Sequence, residues 1–190
     1  MRYRAAFWLF AALLPALVIA GVRPPVQDDH WTNDFDHLFR KYTKHYFGAH
    51  FDWQWFKAQG IAESGLDPDA RSASGARGIM QILPSTYQEI REQNPFLANI
   101  EDPRWNIAAG IFYDRALYRK WKQQHDIQVA ERLKFAFASY NAGYGNMLRA
   151  YRRASDRHGE VKRWQQLASF SPTETRRYVS RIEDLMQAED

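Results

Sequence analysis

The stretch IAESGLDPDARSASGARGIMQILPST, residues 61–86, decides how this chain is read. Just upstream, FDWQWFKAQGIAES has helical spacing: Asp52 can cap the start, Trp53 and Phe56 supply apolar positions, and Ser64-Gly65 end the helix. Glu63 then lies in the last turn, sharing a face with Phe56, Gln59 and Gly60. A helix C-terminus carries partial negative charge, which disfavours a second negative charge and raises a carboxyl pKa. A carboxyl group kept protonated near neutral pH is what a general acid requires. Gly60 weakens the helix and so points to close approach by another backbone or a ligand. On the helix pattern alone, a solvated charge at a helix end is the stronger reading of Glu63.

The residues that follow reverse that preference. Glu63-Ser64 is followed by Ser72, by Gly75-Ala76-Arg77-Gly78-Ile79-Met80-Gln81 and by Pro84-Ser85-Thr86. Two further blocks are Tyr140-Asn141-Ala142-Gly143 and Glu174-Thr175-Arg176-Arg177-Tyr178-Val179. In type, order and spacing these resemble the signature of the lysozyme-like lytic transglycosylases (SLT domain, glycoside hydrolase family 23 type), enzymes that cut bacterial peptidoglycan. The likeness runs from about residue 33 to 187. The opening FDHLFRKYTKHYF before FDW is most similar to the catalytic module of the membrane-bound lytic transglycosylase F group. At 190 residues, the solute-binding-like domain of that group is not expected here. Leu83 stands where the family often has Met, a conservative departure.

The resemblance implies an all-α, lysozyme-like single domain, at most mainly α with a minimal hairpin. It also implies a mechanism. Most glycosidases flank the bond with two carboxylates, and no convincing second one is visible here; Asp67 and Asp69 read as loop caps around Pro68. One acid suffices if the substrate supplies the nucleophile. Glu63 would protonate the oxygen between N-acetylmuramic acid and N-acetylglucosamine, and the acetamido group would stabilise C1. Glu63 would then deprotonate the C6 hydroxyl, which closes a 1,6-anhydro ring. By the same resemblance Ser72 contacts the acetamido group or steadies the sugar, and Gln81 offers an amide to sugar hydroxyls. The Tyr140 phenol bonds Glu63 or substrate, Glu174 contacts substrate or supports the cleft, and Tyr178 packs with Glu174 at the cleft edge. Each has a plainer alternative: a turn residue for Ser72, backbone capping for Gln81, core packing for Tyr140. For Glu174 it is a capping box, Ser171-Pro172-Thr173-Glu174. Asn141 reads as a helix-end cap and Met80 as core beside the cleft. Two other functions stay open, a goose-type hydrolytic lysozyme and a peptidoglycan-binding or scaffold protein without catalysis. No cofactor is expected, and no metal, because the six histidines lack ligand-like spacing.

Composition sets the outer bounds. Aromatics make up 15% of the 190 residues, enough for a real core in one domain. Residues 1–22 read as a signal peptide or an uncleaved signal anchor: Arg2 and Arg4 precede an apolar run, with Val18-Ile19-Ala20 as a cleavage site. Residues 5–22 are therefore a candidate membrane tether, and the protein is expected to be exported to the periplasm or cell envelope, with inner-membrane anchoring as the alternative. Pro24-Pro25 makes residues 23–30 a linker, leaving 31–190 as the catalytic domain. The chain has no cysteine, so its fold rests on the core and a lipid anchor on cysteine is excluded. Residues 111–181 hold 15 Lys/Arg against 6 Asp/Glu, whereas residues 28–110 hold 8 against 12. A basic half suits an anionic polymer such as peptidoglycan, although most of these arginines read as solvated helix faces. No nucleic-acid motif appears, so peptidoglycan is the expected partner of a monomer.

The remaining pattern is helical nearly throughout. Helices are expected over 33–47, 52–64, after Pro84, from Asp102-Pro103 to about Lys122, through Val129 to Tyr140, over 145–156, and from Thr173 onward. Residues 65–77 are too rich in Gly, Pro, Asp and Ser for a core element and hold the only candidate hairpin, followed by a short turn or helix to Leu83.

Overall fold

A computed structural model describes residues 31–124 and 127–187. The expected leader at 1–22 and linker at 23–30 lie outside the described residues. Eight helices are found among them: α1 Asp36–Tyr46, α2 Gln54–Ser64, α3 Pro84–Gln93, α4 Pro103–Gln124, α5 Arg132–Ala142, α6 Tyr144–His158, α7 Trp164–Ala168 and α8 Thr173–Gln187. None is long and apolar enough to cross a membrane. Among the described residues the only strand-like pairing is two isolated bridges, Arg71 with Arg77 and Arg77 with Ile82. The expected hairpin therefore exists in minimal form and reaches Ile82, so Gly78 to Leu83 folds as a turn rather than a helix.

Two helices are buried nearly all round and organise the rest. In α5, Phe135 to Ser139 form an uninterrupted buried run; in α2, Phe56 to Ile61 do the same. Helices with no polar face belong in the middle of a domain. Accordingly α5 packs against α4, α6 and α8, and α2 against α8 and α1. Trp121 of α4 is fully buried against Phe135, and its indole N–H donates to Ser139 Oγ at 2.9 Å. Lys57 is buried within α2 and pairs with Asp36 at the start of α1 and the Thr32 carbonyl, which fixes how the two helices meet.

Helix boundaries follow local chemistry. The Gln54 amide donates to Asp52 Oδ1 (3.0 Å) and the Arg104 amide to Asp102 Oδ1 (2.8 Å), so both expected caps form. Pro84 and Pro103 occupy first-turn positions where no N–H is needed. Three expectations need correction. Val129 precedes α5 and is exposed, so the apolar face begins later than periodicity suggested. The Ser171 hydroxyl donates back to the Leu167 carbonyl (3.1 Å) instead of opening a capping box with Glu174. Helix α7 was not anticipated; its box is built from Arg163 and Gln166, whose Oε1 accepts from the Lys162 and Arg163 amides at 3.0 Å each.

Candidate active site

Helix α2 carries Glu63 from the core to the surface and stops there. Gly65 takes φ 68° and closes the C-terminus, while Ser64 Oγ donates to the Ile79 carbonyl at 3.0 Å. Ser64 thus ties the helix end to the 71–82 loop, a physical reason for its place beside Glu63. Gly60 makes room for side chains, not for a backbone or ligand: a Cβ there would lie 3.1 Å from both Ile79 and Phe39.

Glu63 remains partly accessible along its side chain, yet its carboxyl is enclosed. Burial pushes its pKa from 4.5 to about 7, opposed by a hydrogen bond from Tyr178. The direction is the one expected at a helix end, but its cause is desolvation. The Tyr178 hydroxyl, brought in by α8, donates to Glu63 Oε1 at 2.6 Å.

Tyr178 rather than Tyr140 is therefore the tyrosine that bonds Glu63. The Tyr140 hydroxyl donates to the Met80 carbonyl at 2.7 Å, and its ring meets Tyr113 edge-on at 5.4 Å. Met80 is core, as expected. Burial raises both phenols well above their ordinary 10, and the nearby Glu63 adds to the effect. Both therefore stay protonated donors at neutral pH. Asn141 does not cap its own helix with its side chain; its Oδ1 accepts from Thr175 Oγ1 at 2.8 Å and joins the end of α5 to the start of α8.

The loop side of the site is held by Asn106, which the sequence reading passed over. Its Nδ2 donates to the carbonyls of Arg77 (2.9 Å) and Ile100 (3.0 Å), and its Oδ1 accepts from the Met80 amide (2.8 Å). Gly78, at φ 67°, admits that amide: a Cβ would lie 2.6 Å from Asn106 Nδ2. Gln81, itself at φ 42°, donates from Nε2 to the carbonyls of Ala70 (3.2 Å) and Gly78 (2.9 Å). Ser72 Oγ accepts from the Ala76 amide (3.0 Å) and lies 2.8 Å from Ser74 Oγ. Glu174 is exposed in the first turn of α8, whereas Tyr178, one turn further on, is buried.

A second carboxyl group does exist. Asp114 of α4 is fully buried; its Oδ1 accepts from Gln59 Nε2 at 3.4 Å. Asp114 Oδ2 and Gln59 Oε1 have no hydrogen-bond partner among the described residues. A proton on Asp114 converts one of these stranded acceptors into a donor. Burial, with the neighbouring Glu63 adding to it, raises its pKa well above 3.8 in the same direction. The sequence did hold a signal. Asp114 falls on the apolar face of α4 set by Ile107, Ile111, Leu117 and Trp121, and a charged residue in such a stripe is the informative exception.

The sequence profile described as Transglycosylase SLT domain matches residues 40–162. The chain belongs to the SLT-domain family. This SLT domain is 36% identical over 122 residues to the membrane-bound lytic murein transglycosylase F of Desulfosudis oleivorans, covering 64% of the chain and 25% of that protein. It is 30% identical over 149 residues to the protein of the same name from Haemophilus influenzae, covering 78% and 28%. The chain thus spans about a quarter of the length of the curated relatives it matches. The 70 kDa soluble lytic transglycosylase of Escherichia coli superposes with a TM-score of 0.63 at 24% identity, over 81% of this chain and 24% of that one. Its complex with bulgecin A gives 0.62 at 26% identity, over 79% and 23%. The fold is the lysozyme-like helical one, and the SLT domain keeps its all-α character.

Proposed function

We propose that this SLT domain is a peptidoglycan lytic transglycosylase that cleaves the β-1,4 bond between N-acetylmuramic acid and N-acetylglucosamine and leaves a 1,6-anhydromuramoyl end. The observation that carries the reading is the Glu63 carboxyl, its pKa lifted to about 7 and oriented by the Tyr178 hydroxyl. A proton donor poised near the working pH is the requirement for glycosidic oxygen protonation. The names of the relatives support it, all lytic murein transglycosylases.

Glu63 donates its proton to the leaving oxygen as the C1–O bond breaks, and the substrate's acetamido group stabilises C1. The resulting carboxylate then takes the C6 hydroxyl proton while O6 bonds to C1. Tyr178 stabilises that carboxylate between the two steps, because its hydrogen bond favours the charged form. Tyr140 and Asn106 hold the Met80 backbone from opposite sides, which keeps the cleft wall rigid. The Ser72 hydroxyl proton, shared with Ser74, is the one that turns to the acetamido carbonyl. Gln81 stiffens its loop through two carbonyls and presents its amide oxygen to sugar hydroxyls. Glu174, exposed at the start of α8, contacts substrate at the rim.

Asp114 bears on the hydrolytic alternative. A goose-type lysozyme needs a carboxylate to position water. Asp114 is fully buried, and burial biases its carboxyl toward the neutral form, which argues against its serving as that base and favours Glu63 working alone. Residues 1–22 export the protein to the envelope, cleaved or as an anchor, and it acts there as a monomer. Mass spectrometry of digested peptidoglycan tests the reading: anhydro-muropeptides are expected, reducing ends would establish hydrolysis, and release unchanged in Glu63→Gln would remove Glu63 from the mechanism.

A further inference from the structure

A second concave site lies away from Glu63. A pocket of about 660 Å³ opens between the C-terminal half of α1, the 94–97 loop and the start of α4. It shares no lining residue with the Glu63, Tyr140 and Tyr178 cluster. Its cations are Lys41, Lys44 and Arg104, and its aromatic surface comes from Tyr46, Trp105 and Phe96. No carboxylate lines it. Lys41 and Lys44 are exposed and form no ion pair among the described residues. Phe96 is 85% exposed, the most open of the large apolar side chains in this region.

The pocket is built, not accidental relief. Arg104 Nε donates to the Tyr42 hydroxyl at 3.0 Å, and its guanidinium lies 4.3 Å from the Trp105 ring centroid. Asn94 Nδ2 donates to the Tyr46 hydroxyl at 3.0 Å, joining the loop to α1. These bonds hold Tyr46, Trp105 and one cation in place before any ligand arrives, which lowers the ordering cost of binding. Two ammonium groups without a carboxylate partner among the described residues line the same pocket, that of Lys41 lying 5.4 Å from the Tyr42 ring centroid. Such a site fits a ligand with several carboxylates and an uncharged body that lies on aromatic faces. Its location in the acid-rich half explains why counting charges along the chain did not find it.

We propose that this pocket binds the carboxylate-bearing stem peptide of the peptidoglycan strand whose glycan occupies the Glu63 cleft, an inference that rests on the function proposed above. The 101–102 segment supports it. Glu101 pairs with Arg71 and Arg77 of the loop that carries Ser72 and Gln81, and Asp102 caps the helix that presents Arg104 and Trp105. One short segment therefore braces both the cleft wall and the pocket. The peptide adds binding energy remote from the reacting bond, and peptide-bearing strands become the preferred substrate.

The test uses the double variant Lys41→Ala, Lys44→Ala, both changes being at exposed helical positions where alanine is tolerated. Cleavage is measured on intact peptidoglycan and on glycan strands stripped of peptide by an amidase. The expected result is a kcat/KM about fivefold lower on intact strands and unchanged on stripped ones, the size of two exposed charge contacts. Binding of a free stem tetrapeptide, followed by tryptophan fluorescence or amide chemical shifts, should weaken in the variant and vanish when every carboxylate is amidated. Equal losses on both substrates, or amidated peptide bound as well as the free acid, overturns the proposal. Binding to anionic phospholipid vesicles without binding to the peptide also overturns it, in favour of a membrane-facing role. If neither substrate is cleaved by the unaltered protein, the functional reading fails, and the peptide titration still decides whether the pocket binds carboxylates.

Discussion

Tyr178 Oη and Glu63 Oε1 lie 2.6 Å apart although 115 residues separate them in the chain. The tyrosine comes from the middle of the last helix and the glutamate from the end of the second. Their meeting depends on the packing of α8 against α2, which Val179 and Ile182 secure by full burial. The bond favours the glutamate's charged form, while burial favours its neutral form and is the stronger influence. The net result is a pKa of about 7, so Glu63 is protonated below that pH and ionised above it.

For Tyr178→Phe, the carboxylate loses its donor and the Glu63 pKa rises further. In the unaltered protein, kcat/KM should fall as pH rises through about 7, since the free enzyme then loses its acid. In the variant that fall should move to higher pH, with activity at the optimum reduced roughly tenfold or more through loss of a charge-assisted bond. A pH–rate profile for both proteins checks this. An unmoved alkaline limb would show that Tyr178 does not act on Glu63.

Asp114 makes a stability prediction of definite sign. Its folded-state pKa is raised above the ordinary 3.8, so the folded protein binds the proton more tightly than the unfolded chain. Its contribution is fully favourable below about 3.8 and is lost as pH rises toward the folded value. Asp114→Asn keeps the shape, supplies a donor permanently and should flatten that decline, leaving the protein at least as stable at pH 7. Asp114→Ala leaves the buried Gln59 amide unpaired and should destabilise by about 1–3 kcal/mol. Denaturant titrations of the three proteins at pH 5 and pH 8 separate these outcomes.

Asn106 and Gly78 form one joint, and either change should loosen the cleft wall. Asn106→Ala removes three hydrogen bonds from a buried residue, a loss of roughly 2–4 kcal/mol. Gly78→Ala meets both the positive φ and the Asn106 amide, for about 1–3 kcal/mol. Both should lower kcat more than thermal stability alone explains, because the Met80 backbone beside Tyr140 shifts. Activity measured well below each variant's Tm, compared with its unfolding curve, distinguishes the two effects.

Ionic strength provides a check on long-range steering. The basic balance of residues 111–181 predicts that cleavage of anionic peptidoglycan slows as salt is raised from low to physiological levels. A flat salt profile would leave that charge without a role in substrate capture.

The family, the helical class and the position of the proposed acid at a helix end were legible in short-range patterns: Glu63-Ser64, the glycine-spaced loop, Asp52 and Asp102 as caps, and proline at the first turn of two helices. These are local because capping, turn geometry and periodicity involve residues within a few positions of one another. What surrounds Glu63 was not legible. Tyr140 and Tyr178 occupy equally suggestive motif positions, and only the helix packing decides which phenol reaches the carboxyl. Asp114 became visible as a buried acid with a raised pKa once α2 and α4 were brought together, and the cationic pocket required α1 and α4 to meet across 62 residues. Local chemistry along the chain determined which elements form and set Glu63 at the end of its helix. Desolvation and hydrogen bonding between distant helices, which are properties of packing alone, decided that residue's proton affinity and the partners it keeps.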